Sequence, residues 1–220
     1  MLRVLVLTLL LASCSTGKPS KPGIISDINY HDACDIYANR PQWQEASLEA
    51  SRRWQVPIFM FLAIVYQESS FNAEARPVNS SGKRLSTAYG YAQALDGTWR
   101  EYMDESGNSS GKRNRFADAV DFIGWYVLRV HRATGISKWD ARRQYLNYHE
   151  GIGGYKRGLH RNKPWLLRVA NKVRTRANRY HKQLLQCKIP IYLEQDGSIP
   201  DRYKKRGVSD ESRSKRIHWN

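Results

Sequence analysis

This chain is short of acid, of cysteine and of long apolar runs. Against 36 lysines and arginines stand 20 aspartates and glutamates, a formal charge of +16 over 220 residues. So basic a chain suits a polyanionic partner. The 3 cysteines include no closely spaced pair, and the 6 histidines show no His-Glu-x-x-His spacing, so no metal site is expected. No cofactor signature stands in their place. Gly151-Ile152-Gly153-Gly154 has neither a preceding strand nor a Lys-Ser/Thr ending, and so is no phosphate loop. After residue 11 no segment is long and apolar enough to cross a bilayer as a helix. Strand alternation and internal repeats are missing as well, which leaves a mostly α fold.

What is present begins with a processing segment. Arg3 precedes an apolar stretch from Val4 to Leu11, too short to span a membrane. Leu11-Ala12-Ser13-Cys14 then resembles a bacterial lipobox. That implies a signal peptide over residues 1–13, cleavage before Cys14 and lipid on its sulfur, with an ordinary secretory signal and a chance cysteine as the alternative. On either reading the mature chain is expected to leave the cytoplasm. Ser15 after Cys14 fits an outer-membrane lipoprotein facing the periplasm. Residues 14–28 are Ser-, Pro-, Lys- and Gly-rich and read as a flexible tether. Residues 29–188 form one helical domain, and 189–220 a basic tail expected to be disordered. Cys34 and Cys187 flank the domain, and in an oxidising compartment they are expected to pair.

Helical periodicity runs through most of the domain. Trp43, Ala46, Ala50 and Trp54 share one face, with Pro41 near the start. Pro57 opens a second helix that is apolar all round and therefore central. From Asn72 to Leu95 the pattern breaks into a long loop, and long loops in compact domains are often functional. Phe116 to His131 reads as another helix, and Ser137 to Asp140 as a capping box for the next. Gly151 to Gly158 reads as a Gly-rich turn. Pro164 to Leu185 is a long amphipathic helix with apolar residues from Leu166 to Leu184. Its other face carries Arg168, Lys172, Arg176, Arg179 and Lys182 and is expected to be solvated and to lean toward an anionic polymer.

Glu68 stands at the end of the most apolar stretch, Ile58 to Phe71. Burial disfavours the charged form of a carboxyl, so its pKa should rise toward the range useful for acid/base work. Three separated segments can converge on it: Gln67 to Phe71, Ser86 to Trp99, and Asn147-Tyr148-His149-Glu150-Gly151 with Tyr155 beyond. Together they resemble the lytic transglycosylases of the soluble-lytic type, a branch of the lysozyme-like superfamily. That family carries a Glu-Ser pair ending an apolar helix, then Gly-x-x-Gln, then Ala-Tyr-Asn-x-Gly, and the likeness spans roughly Trp43 to Tyr180. It departs from the pattern where Asn147 and His149 replace Ala and Asn, and where Tyr91-Ala92 replaces Leu-Met.

The resemblance implies a single lysozyme-like helical domain with a substrate groove, acting on peptidoglycan glycan strands without a cofactor. It matches Glu68 to the catalytic acid/base, Ser69 to its serine neighbour, Gly90 and Gln93 to the groove loop, Tyr148 to the tyrosine beside the carboxyl, and Gly151 to the closing glycine. In the implied reaction Glu68 protonates the oxygen between N-acetylmuramic acid and N-acetylglucosamine. The substrate's N-acetyl group replaces the second carboxylate of ordinary glycosidases. Glu68 then takes the proton of the C6 hydroxyl, which closes a 1,6-anhydro ring without water. Tyr148 is expected to hydrogen-bond Glu68. Tyr91 and Tyr155 are candidates for stacking on sugar faces, and His149 for binding substrate or bonding its own loop.

Two other functions compete. A muramidase on the same fold would need a second carboxylate, and Glu74, Asp96 and Glu150 are the candidates. A non-catalytic wall-binding or assembly lipoprotein would need neither. Charge alone would also admit a nucleic-acid binder, but export argues for cell-wall polymers and lipid head groups, and no nucleic-acid partner is expected. A lipid anchor at Cys14 would make the membrane a partner, and secretion or cell-wall assembly machinery a further one.

Overall fold

In the computed structural model, residues 27–192 and 194 are described. The signal segment, Cys14, most of the tether and the tail from 195 onward lie outside the described residues. Among the described residues, seven α-helices and one 3-10 turn, Leu159–Asn162, make up the regular structure. They are α1 (Ala33–Asn39), α2 (Pro41–Trp54), α3 (Ile58–Ser69), α4 (Asp96–Ser106), α5 (Phe116–Thr134), α6 (Ala141–Lys156) and α7 (Pro164–Gln186). Among the described residues there is no strand, only two isolated bridges, Val78 to Arg84 and Tyr89 to Ala94. The fold is a single mostly helical domain, and no described helix is long and apolar enough to cross a membrane.

The centre of the domain is α3. Every residue from Ile58 to Val65 is buried, as an all-apolar helix requires. It packs on α7, which packs in turn on α6, while α2 lies along α5. Gly124 permits that last approach, since a Cβ there would stand 2.5 Å from the Trp54 ring. The α7 face from Leu166 through Ala170, Val173, Ala177 and Tyr180 to Leu184 is buried, as its spacing anticipates.

Cys34 in α1 and Cys187 at the end of α7 form a disulfide, with Cα atoms 6.0 Å apart, across 153 residues of sequence. Beside it Gln183 accepts from the Ala33 amide at 3.0 Å, and the Tyr180 hydroxyl donates to the Tyr30 carbonyl at 2.5 Å. The two ends of the domain are thus joined covalently and by side-chain hydrogen bonds.

Three sequence expectations need correction. Residues 189–192 are packed rather than part of a loose tail. Pro190 and Ile191 are buried, and the Ile191 carbonyl accepts from the Ile58 amide at 2.9 Å. That carbonyl satisfies one of the unpaired donors at the start of α3, where Pro57 offers no side-chain cap. The start of α6 is capped by Asp140, which accepts from the Arg143 amide at 2.9 Å, whereas the Ser137 hydroxyl accepts from the Trp139 amide at 3.2 Å. The Gly-rich segment is not a turn. The helical path resumes after one residue, Gly151, at φ 70° and ψ 156°. In addition, α4 occupies a stretch for which the sequence pattern suggests no element; it is held by buried Trp99 and Tyr102 and stopped by Gly107 at φ 75°.

Candidate active site

Glu68 lies in the last turn of α3. The helix stops there because Ser70 and Phe71 take left-handed conformations, at φ 49° and 64°. Phe71 is then locked by stacking on Tyr30 and Trp43, with centroids 4.8 and 5.6 Å away. The carboxyl is therefore delivered at a fixed point of the apolar core's edge. It is pushed up to about 7, above all by burial, against a hydrogen bond from the Tyr145 side chain that lowers it. The C-terminal end of a helix also disfavours a negative charge. A carboxyl with such a pKa can both release and regain a proton near neutrality.

Tyr145 comes from α6, and Tyr148 follows one turn later on the same side. The pair is stacked, with centroids 6.4 Å apart. The phenols of both are held neutral, first by burial and then by the neighbouring Glu68 charge. Sequence pattern pointed to Tyr148 as the hydrogen-bond partner of Glu68, and the structure places Tyr145 there instead. Tyr148 donates to the Ala92 carbonyl at 2.6 Å, so it ties α6 to the loop.

That loop is built around Gly90. At φ 75° its Cα approaches so closely that a Cβ would stand 2.1 Å from the Arg113 carbonyl oxygen. The Gly90 amide donates to the Ala75 carbonyl at 3.0 Å and the Tyr91 amide to Arg113 at 3.2 Å. Gln93 donates its side-chain amide to the carbonyls of Ala75 and Gly90, at 2.9 and 2.8 Å. Gly90 and Gln93 thus hold the loop's shape. Arg113 closes it from outside, donating to the carbonyls of Thr87 and Ala94 at 2.8 Å each.

Several sequence candidates have other duties. Tyr91 is buried in an edge-on contact with Trp43 and Phe116, so it is a core ring and not a sugar platform. The Ser69 hydroxyl donates to the Val65 carbonyl of its own helix at 3.1 Å. Gly151 supplies the break in α6. Tyr155 stacks on His160 at 4.5 Å, and exposed His149 bonds Glu150 at 3.1 Å and meets Trp165 edge-on.

The three spare carboxylates are all engaged. Glu74 accepts from Tyr89 and from Asn114, and these bonds hold its pKa below the usual range. Asp96 pairs with Arg113 at 2.7 Å. Glu150 is buried, which would raise its pKa, but Lys163 at 2.8 Å and His149 outweigh that and lower it. Among the described residues no group of His, Cys, Asp and Glu could hold a metal ion.

Two residues near Glu68 escaped the sequence reading. One is Tyr145, which no motif marks. The other is Arg176 on α7, assigned to a solvated face. Its guanidinium lies over the Tyr66 ring at 3.8 Å and reaches Gln67 at 3.4 Å. Its positive charge is also felt by Tyr145. Two open hollows lie elsewhere. One of about 370 Å³ lies against Trp54 and Trp125, another of about 400 Å³ against Tyr155 and His160, and neither is lined by Glu68.

Compared with known families, residues 2–187 match the model described as the transglycosylase SLT domain. No curated protein and no solved structure matches the chain.

Proposed function

We propose, for a chain that belongs to the transglycosylase SLT domain family, that it is a peptidoglycan lytic transglycosylase with Glu68 as its acid and base. The observation that carries this reading is the single carboxyl at the end of α3, with a pKa of about 7 and a tyrosine hydroxyl to hold it. Glu68 protonates the bridging oxygen between N-acetylmuramic acid and N-acetylglucosamine. As a carboxylate, steadied by Tyr145, it then removes the proton of the C6 hydroxyl, and the 1,6-anhydro ring closes. Positive charge on the ring is met by the substrate's own N-acetyl group.

A muramidase would require a free carboxylate to activate water. Glu74, Asp96 and Glu150 are each committed to other side chains, which supports the single-carboxyl route. We place the mature protein on the outer membrane, facing the periplasm, by lipid at Cys14. A disulfide between Cys34 and Cys187 suits that oxidising side.

The test is turbidity clearing of isolated sacculi by the wild type and by Glu68→Gln. Glu68→Gln should lose at least about a thousandfold in rate with an unchanged circular dichroism spectrum, since removal of the acid removes both proton transfers. A variant that clears sacculi at the wild-type rate overturns the assignment.

A further inference from the structure

The segment from Gly151 to Lys188 contains no aspartate or glutamate, although it carries cations throughout. On α7 the exposed residues Arg168, Lys172, Arg179 and Lys182 fall within about a quarter of the helix circumference, at 3.6 residues per turn. They lie opposite the buried face and form a row about 20 Å long at 1.5 Å per residue. None of the four has an ion pair among the described residues. Several of the domain's acids are spent elsewhere. Asp118, Asp121, Glu101, Asp140 and Glu150 each pair with a cation outside this row.

The row is continuous with the candidate catalytic centre. Arg176, on its flank, covers Tyr66 and reaches Gln67, the residue before Glu68. Arg179 bonds His31 at 3.4 Å, and His31 bonds the Tyr66 hydroxyl at 3.3 Å. An anionic chain lying along α7 would thus pass beside the last turn of α3.

We infer that the exposed face of α7 is a docking track for the carboxylates of the substrate's peptide arms, which holds a peptide-bearing glycan strand against Glu68. This rests on the proposed peptidoglycan reading and names the part of the polymer recognised away from the scissile bond. Peptidoglycan sugars are neutral when the lactyl group of muramic acid is amide-linked, so the negative charge of the polymer resides in its peptides. A cationic row without acidic partners complements those peptides and not the glycan itself. The contacts are exposed and therefore weakened by salt.

Co-sedimentation tests it without requiring turnover. The full chain carrying Glu68→Gln is mixed with sacculi, with chitin as an uncharged β-1,4-linked N-acetylglucosamine glycan, and with vesicles containing phosphatidylglycerol. Each is repeated with Arg168→Gln, Lys172→Gln and Lys182→Gln added together. The triple change should weaken binding to intact sacculi roughly tenfold at low salt, three exposed charge contacts being individually small. It should leave binding to chitin unchanged, and about 0.5 M salt should erase the difference on intact sacculi. Equal loss on both glycans, no loss on intact sacculi, or loss confined to the vesicles overturns the proposal. Catalytic failure is separable. A wild-type protein that releases no product while the binding difference persists refutes the transglycosylase reading and leaves the docking track standing.

Discussion

The Tyr145 side chain hydrogen-bonds the Glu68 carboxyl, across the junction of α6 and the last turn of α3. The bond favours the ionised form and so opposes burial, which favours the protonated one. The balance leaves the carboxyl at about 7. Tyr145→Phe should remove the opposing bond, raise the Glu68 pKa further and move the alkaline limb of the activity profile to higher pH. Tyr148→Phe should instead leave the Ala92 carbonyl unpaired, loosen the loop and raise KM with the limb in place. Profiles of kcat and kcat/KM against pH for the two variants separate these roles.

Wild-type activity should fall as pH rises through about 7, because the first step uses the protonated carboxyl. Stability follows the same group. Below an unfolded-state pKa near 4.5, Glu68 is protonated in both states and its burial is not penalised. As pH rises from there to about 7 the unfolded state ionises first and the folded state loses relative stability. Glu68→Gln should therefore be neutral near pH 4 and stabilising by about 2 kcal/mol near pH 8, discounted for the group's partial exposure. Denaturant melts at the two pH values check the sign.

Gly90→Ala should destabilise the protein by at least about 2 kcal/mol and suppress activity. The added Cβ meets the Arg113 carbonyl oxygen at 2.1 Å, and φ is 75°. Gly107→Ala has a similar φ but nothing within 4 Å, so it isolates strain from clash. Equal costs at both positions would deny the close approach.

Cys34→Ser with Cys187→Ser should lower Tm by about 10 °C. Closing so long a loop restricts the unfolded chain by up to about 4–5 kcal/mol. Mass mapping of unreduced peptides should recover the pair.

Ending the chain after Lys188 should cost about 2–3 kcal/mol, from exposure of the Ile191 site and loss of its bond to the Ile58 amide. Urea melts of chains ending at 188 and at 194 make the comparison.

The elements most legible in the sequence are those whose apolar pattern alone decides them. Ile58 to Val65 had one place to go, and the spacing from Leu166 to Leu184 marked its buried face. Glu68 was conspicuous because burial at the end of such a run raises the pKa of a carboxyl. What stayed hidden depends on contacts between distant segments. Tyr145 and Tyr148 are one turn apart on the same helix, and only the position of α3 relative to α6 decides which reaches the carboxyl. Tyr91 follows Gly90 in a loop, where exposure was the natural expectation, yet Trp43 and Phe116 enclose it. Arg176 belongs by spacing to a polar face but lies at its flank, where Tyr66 covers it. The glycines after Glu150 suggested a turn because composition counts all of them, whereas one residue, Gly151, makes the break. Ile191 follows a proline in a charged tail, and nothing local marks it as the cap of α3.

The most direct test of the central claim is the product released from purified peptidoglycan, read by mass spectrometry, with the Glu68→Gln protein beside the wild type. Muropeptides lacking one water at muramic acid, absent with the variant, are the predicted result. Reducing muropeptides from the wild type would contradict it and show that water, activated by a second group, completes the reaction.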